Sequence, residues 1–189
     1  MNKHNFIVSL TLILGVLSSC SNKQVQLPLS NFVGVQDTLY DNSQIWIFNQ
    51  DAQAVMNQKN RISTTDWVLN IDKHLTMEQV YPLLVEVYQK RHKKSMHSNA
   101  DAINFLSYMN PEYQAVQTLP ISHINYENTE KDLPEFKIPS DSLPNFQEDW
   151  KLLISKDMTY DGYVKFKSKL IDQSAQTYYL QSSEELVKN

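Results

Sequence analysis

"TYDGYVKFKSKLID", residues 159–172, supports two opposite readings, and the fold follows from the choice between them. Val164, Phe166 and Leu170 share one parity, while Lys165, Lys167 and Lys169 share the other. A period of two marks a half-buried strand. On a helix, Tyr163, Phe166 and Leu170 fall at i, i+3 and i+7, which is also one face. Thr159 is an available N-cap, and Asp161 suits the positive end of a helix dipole. Gly162 disfavours either form, by up to about 1 kcal/mol in a helix.

The wider chain favours the helix. A shift of 83 residues aligns "DWKLLISKDMT", beginning at Asp149, with "DWVLNIDKHLT", beginning at Asp66, and six of the eleven positions are identical. The earlier copy runs into the best-patterned helix of the chain. Thr76 is its N-cap, and Gln79 stands three residues on, as in a capping box. Val80, Leu83, Leu84 and Val87 follow at i, i+3, i+4 and i+7. Pro82 should loosen or kink the first turns. Lys90, Arg91, His92, Lys93 and Lys94 close the helix, and such a run complements the dipole at a helix C-terminus. By analogy, residues 160–172 are predicted to be a helix packed beside that of residues 80–87, on one face of a mixed sheet.

Strands are expected at residues 45–49, 67–71, 115–121, 150–154 and 176–181, where β-branched and aromatic residues gather. A further helix is expected over residues 98–109, with Ile103, Leu106 and Met109 on one side, and a short one over residues 183–188. Pro134, Pro139 and Pro144 lie among charges in residues 128–145, which reads as an exposed loop. The fold class is therefore α/β (α+β): a small mixed β-sheet with helices on one face, built as two strand-turn-helix units. Residues 45–189 form one domain.

The start of the chain addresses location. Lys3 precedes an apolar stretch over residues 6–17, which as a helix is roughly 18 Å long. A bilayer core needs about 30 Å. The stretch therefore has the layout of a secretory signal rather than a span. Leu17-Ser18-Ser19-Cys20 resembles the lipobox of bacterial lipoproteins. That resemblance implies a signal peptide over residues 1–19 and lipid attachment at Cys20, with diacylglyceryl and palmitate-type acyl chains holding the protein to the periplasmic side of a membrane in the cell envelope. Several chains anchor stably where one does not. Cys20 is the sole cysteine, so its use in a thioether leaves no thiol for a disulfide. Residues 20–44 read as a tether, and a flexible segment of that length spans roughly 27 Å root-mean-square.

The strand, polar turn and helix of "LLISKDMTYDGYVKFKSKLID", residues 152–172, followed by "TYYLQ", resemble the periplasmic domain of ExbD/TolR-type biopolymer-transport proteins. "VLNIDKHLTMEQVYPLLVEVYQKR", residues 68–91, carries the likeness again. The resemblance implies the fold and docking to envelope proteins. Those proteins have a membrane helix with a functional aspartate, which the signal segment here lacks, so a proton-coupled motor role is not implied.

The net charge of −4 argues against nucleic acid as a partner and against a broad cationic surface for lipid. Three glycines are too few for a glycine-rich phosphate cradle. His74, His92, His97 and His123 lack metal-ligand spacing and read as solvated histidines, so no metal or other cofactor is expected. Asp72 with His74 has no serine in a nucleophile elbow beside it. Glu184 and Glu185 look like a solvated pair in a polar tail, and Tyr178 with Tyr179 like strand residues. No catalytic residues are therefore assigned. The expectation is a non-enzymatic, lipid-anchored envelope protein that binds a protein partner. The alternatives are a lipid-anchored enzyme and a cell-wall or small-ligand binding module.

Overall fold

The computed structural model describes residues 24–34, 41–57, 62–93, 102–121, 124–125, 135–138, 150–173 and 182–187. Ile45 and Ile47 alternate inward along strand β1 (Asn42–Gln50). A two-residue turn, Asp51 and Ala52, with φ of 51° and 58°, reverses the chain into β2 (Gln53–Met56). Both turn residues are left-handed, as primed hairpin turns require. β3 (Asp66–Ile71) pairs parallel to β1. Helix α1 (Met77–His92) then returns the chain to β4 (Asn104–Asn110), parallel to β3, and β5 (Ala115–Pro120) closes an antiparallel hairpin. This five-stranded mixed sheet has the order β2-β1-β3-β4-β5.

The second unit repeats the plan. β6 (Ile124–Asn125), β7 (Glu135–Ile138), β8 (Trp150–Ser155), α2 (Tyr160–Gln173) and β9 (Ser182–Val187) give a sheet of order β6-β9-β8-β7, with every pairing parallel. The chain is thus α+β with two β-α-β units, and residues 160–173 are helical. Lys165 and Lys169 face solvent, but Lys167 turns inward with Tyr163 and Val164. The three lysines therefore do not share a face, and the period of two was accidental.

The expected single sheet is two sheets, joined by one continuous core. Buried residues from both units, including Leu69, Ile71, Leu84, Ile154, Tyr163 and Val164, belong to the same cluster. The two helix starts meet at the junction. Thr76 and Thr159 form an antiparallel bridge. Met77 N–H donates to Met158 O at 2.7 Å, and Tyr160 N–H to Leu75 O at 2.7 Å. Glu78 N–H donates to Lys156 O at 3.1 Å, and Asp161 N–H to Lys73 O at 3.2 Å. Each bond becomes its partner when 83 residues are added to or subtracted from each number. The repeated stretches are thus paired with each other by a local two-fold relation.

Four expectations need correction. Residues 104–110 form a strand, not a helix. β4 lies between β3 and β5 and is buried along nearly its whole length, so the two-residue rhythm that would mark a half-buried strand is absent from it. Residues 182–187 form β9 rather than a short helix, paired in parallel with β8 from Ser182 to Val187, with Glu184 meeting Lys167 and Glu185 meeting Lys151. The loop of residues 128–145 contains β7, paired in register with β8. Lastly, residues 24–34 of the expected tether lie along the domain. Leu29 bridges Met109 in parallel, Met109 N–H donates to Pro28 O at 2.8 Å, and Ser30 N–H to Met109 O at 3.2 Å. The strand expected over residues 176–181 lies outside the described residues.

Candidate functional site

Among the described residues, several places are candidate sites. The first is the junction of the two units. Asp72 follows β3 and is nearly buried, and its Oδ1 accepts from His74 N–H at 3.0 Å and lies 3.0 Å from His74 Nδ1. Its Oδ2 accepts from Gln26 N–H at 3.1 Å. Asp72 thereby shapes its own turn and holds the N-terminal segment. Asp161 does the same from the other unit, accepting from Leu29 N–H at 2.9 Å and pairing with Lys165 at 2.7 Å. Burial alone would raise the Asp161 pKa, but Lys165, the Leu29 N–H and the charge of Lys73 together hold it below the ordinary aspartate value. Glu78 lies 3.6 Å from Lys156, so each unit's helix start meets a lysine from the other unit's turn.

The second place is fully buried. Lys167 Nζ donates to Glu184 Oε1 at 2.9 Å, and the Tyr163 hydroxyl donates to Glu184 Oε2 at 2.8 Å. Both charged side chains are 0 % exposed. The Tyr81 hydroxyl, from α1, donates to the Glu184 backbone carbonyl. Burial, and then the charges of Glu184 and Glu185, push the Tyr81 hydroxyl well above the usual phenol range. Glu185, the next residue, faces the other way and pairs with Lys151 at 2.7 Å, which also reaches Glu135 at 3.2 Å. The expectation of a solvated Glu184–Glu185 pair is thus corrected for Glu184, which is buried on Lys167, while the Glu185 side chain remains 40 % exposed and pairs with Lys151. Since solvent does not reach Lys167 or Glu184, the pair acts as an internal lock between α2 and β9.

Sequence reasoning missed Lys167, Tyr163 and Asp161. A signal was present. The residue 83 before Lys167 is Leu84, and the one before Tyr163 is Val80, both core positions of α1. A lysine on the buried face of a repeat demands a counter-charge.

The third place is an open groove of about 590 Å³ between the N-terminal segment and α2, lined by Leu29, Phe32, Val33, Lys165, Lys169 and Asp172 among others. It brings two exposed lysines beside apolar side chains but gathers no nucleophile with a base.

The basic end of α1 is turned back onto the domain. Arg91 stacks over Trp67, 3.9 Å from the ring centroid, and donates to Asn104 Oδ1, Ser63 O and Thr65 O at 3.0–3.2 Å. Burial lowers its pKa, against the pull of Asp66. Lys90 pairs with Glu86, and His92 Nδ1 lies 2.9 Å from Tyr88 O. Among the described residues, no three His, Cys, Asp or Glu side chains converge as metal ligands. Cys20, His97, His123, Tyr178 and Tyr179 lie outside the described residues.

No family model, curated protein or solved structure matches the chain. Function must therefore be argued from its own residues.

Proposed function

We propose that this chain is an envelope lipoprotein, anchored to a membrane through acylated Cys20, whose α/β domain is a non-enzymatic module that binds another envelope protein. The observation that carries the anchor is the order of an apolar stretch too short to span a bilayer, small residues and Cys20. Among the described residues, no helix is long and apolar enough to cross a membrane. Support for a protein partner comes from the sheet edges. β2 and β5 end the larger sheet, and Val55, Tyr113 and Val116 are exposed at or beside them. Open strand edges with apolar side chains favour strand addition by a partner. The ExbD/TolR-like reading of the two units agrees with such docking.

The test is incorporation of labelled palmitate in the producing cells. Cys20→Ala should abolish the label and leave an uncleaved or soluble product, and undiminished label would remove the anchor. A photocrosslinker at Val116 should capture a membrane protein, and Val116→Lys should weaken native co-isolation of that same protein. Capture that is indifferent to Val116→Lys would argue against β5 as the docking edge.

A further inference from the structure

Residues 26–34 lie on the domain in the manner of an added strand. The pairing of β3 with β4 runs from Trp67–Asn104 to Leu69–Leu106. Further along β4, Met109 pairs with Val116 of β5 on one side and bridges Leu29 on the other. The N-terminal segment thus takes over the edge of β4 where β3 leaves it. Met109 N–H donates to Pro28 O at 2.8 Å, and Ser30 N–H to Met109 O at 3.2 Å. The segment also hooks the turn of each unit, with Gln26 N–H on Asp72, Lys73 N–H on Gln26 O and Leu29 N–H on Asp161. The Phe32 carbonyl accepts from the Tyr108 hydroxyl and from Asn110 Nδ2, both at 3.0 Å, and Gly34 N–H donates to Gln117 Oε1 at 3.1 Å. Each of these bonds uses a backbone group of the segment, so its side chains select by shape alone. Pro28, Ser30 and Gly34 are buried and Phe32 is half-buried against Tyr108, while Leu29, Asn31 and Val33 are exposed. A Cβ on Gly34 would stand 2.6 Å from Thr118 O, so this close approach needs glycine. The inward pattern is Pro-x-Ser-x-Phe-x-Gly. Main-chain pairing for affinity, with alternate side chains for specificity, is how sheet edges recognise extended peptides.

We propose that this edge of β4 is a peptide-binding site that residues 26–34 fill in cis. When they leave, it takes an extended partner segment of the pattern Pro-x-Ser-x-aromatic-x-Gly. The cis segment can leave without opening the core. Phe32 packs against the core cluster from outside it, and alternate residues of the segment face solvent. Segments held by exposed backbone bonds with little apolar burial open at low cost. The site depends neither on the lipid anchor nor on docking at Val116.

The probe is a fluorescent synthetic peptide of residues 24–34, and its binding to the full chain is read by anisotropy. Two variants loosen the cis segment and leave the site's own residues intact. Gly34→Val sets a side chain against Thr118 O, and Pro28→Asp places a charge where Pro28 is buried. A site open in only a fraction of molecules binds more weakly by that fraction. Each variant should therefore bind the peptide at least about ten-fold more tightly than the unaltered chain. A peptide carrying Gly34→Val should lose that binding. Absence of binding to every form, or equal binding of the two peptides, overturns the site. Equal affinity of the unaltered chain and both variants overturns its occupation in cis. Loss of the helical circular-dichroism signal in both variants overturns exchange, since the segment would then be part of the fold. A dimer of the chain that the peptide dissociates overturns a separate partner and assigns the site to the segment of a second copy.

Discussion

Tyr160 is the residue whose chemistry fits its surroundings least. Its hydroxyl is fully buried and, among the described residues, has no hydrogen-bond partner. Burial pushes its pKa far above the phenol range, so it stays neutral at any ordinary pH. An unpaired buried hydroxyl costs about 1–3 kcal/mol in protein substitution data. Tyr160→Phe keeps the ring and its stacking on Tyr163, whose centroid is 6.2 Å away. The variant is expected to gain about 1 kcal/mol in urea unfolding. A loss of stability would show that the hydroxyl has a partner. The residue 83 before Tyr160 is Met77, equally buried, so the position accepts an apolar side chain.

At the scale of elements, the two units contain their own control experiment. Leu69 stands opposite Leu106 in the first sheet, and Leu152 opposite Glu184 in the second. Leu84 on α1 corresponds to Lys167 on α2. The same place in the fold is therefore filled once by two leucines and once by an ion pair. Removing one partner of a buried pair leaves an uncompensated charge, so Glu184→Leu and Lys167→Leu should each cost about 3–5 kcal/mol. The double variant Lys167→Leu/Glu184→Leu should return close to the original stability, since hydrophobic replacement of buried pairs is often neutral or better. A double-mutant cycle by denaturant unfolding measures this. Additive losses would mean that the pair is not coupled. The ion pair instead contributes register. β9 has little apolar rhythm, and a slip by one residue would turn Glu184 and Glu185 away from Lys167 and Lys151.

For the whole molecule, the junction and the N-terminal segment stand together. Asp161 is the titratable link between them, and its folded-state pKa is depressed. Its contribution is therefore fully present above the unfolded aspartate value of about 3.9 and is lost as pH falls through the lower folded value. Asp161→Asn should lower the melting temperature near neutral pH, and the deficit should close as the pH drops below about 4. A deficit that is constant with pH would show that the carboxylate's charge is irrelevant to the hook.

The sequence by itself determined the elements whose patterns are local: β1, β3, β8, the Thr76 cap with Gln79, and α1. It also determined, through the 83-residue match, that residues 160–172 are helical rather than extended. These rest on caps and side-chain periods that a segment carries wherever it packs. Only the tertiary structure decided that residues 104–110 and 182–187 are strands, and that the chain forms two sheets around a paired turn. The helical look of Ile103, Leu106 and Met109 was an accident of a strand buried on both faces. The glutamates of β9 favour a helix in isolation, and the strand forms through pairing with β8 and β6, contacts that are distant in sequence. The candidate site followed the same division. The proposed lipid-attachment motif at Cys20 rests on local sequence alone and lies outside the described residues. Lys167 with Glu184, and Asp72 and Asp161 with the N-terminal segment, were not legible in the sequence, because each is a contact between residues that the chain brings together only on folding.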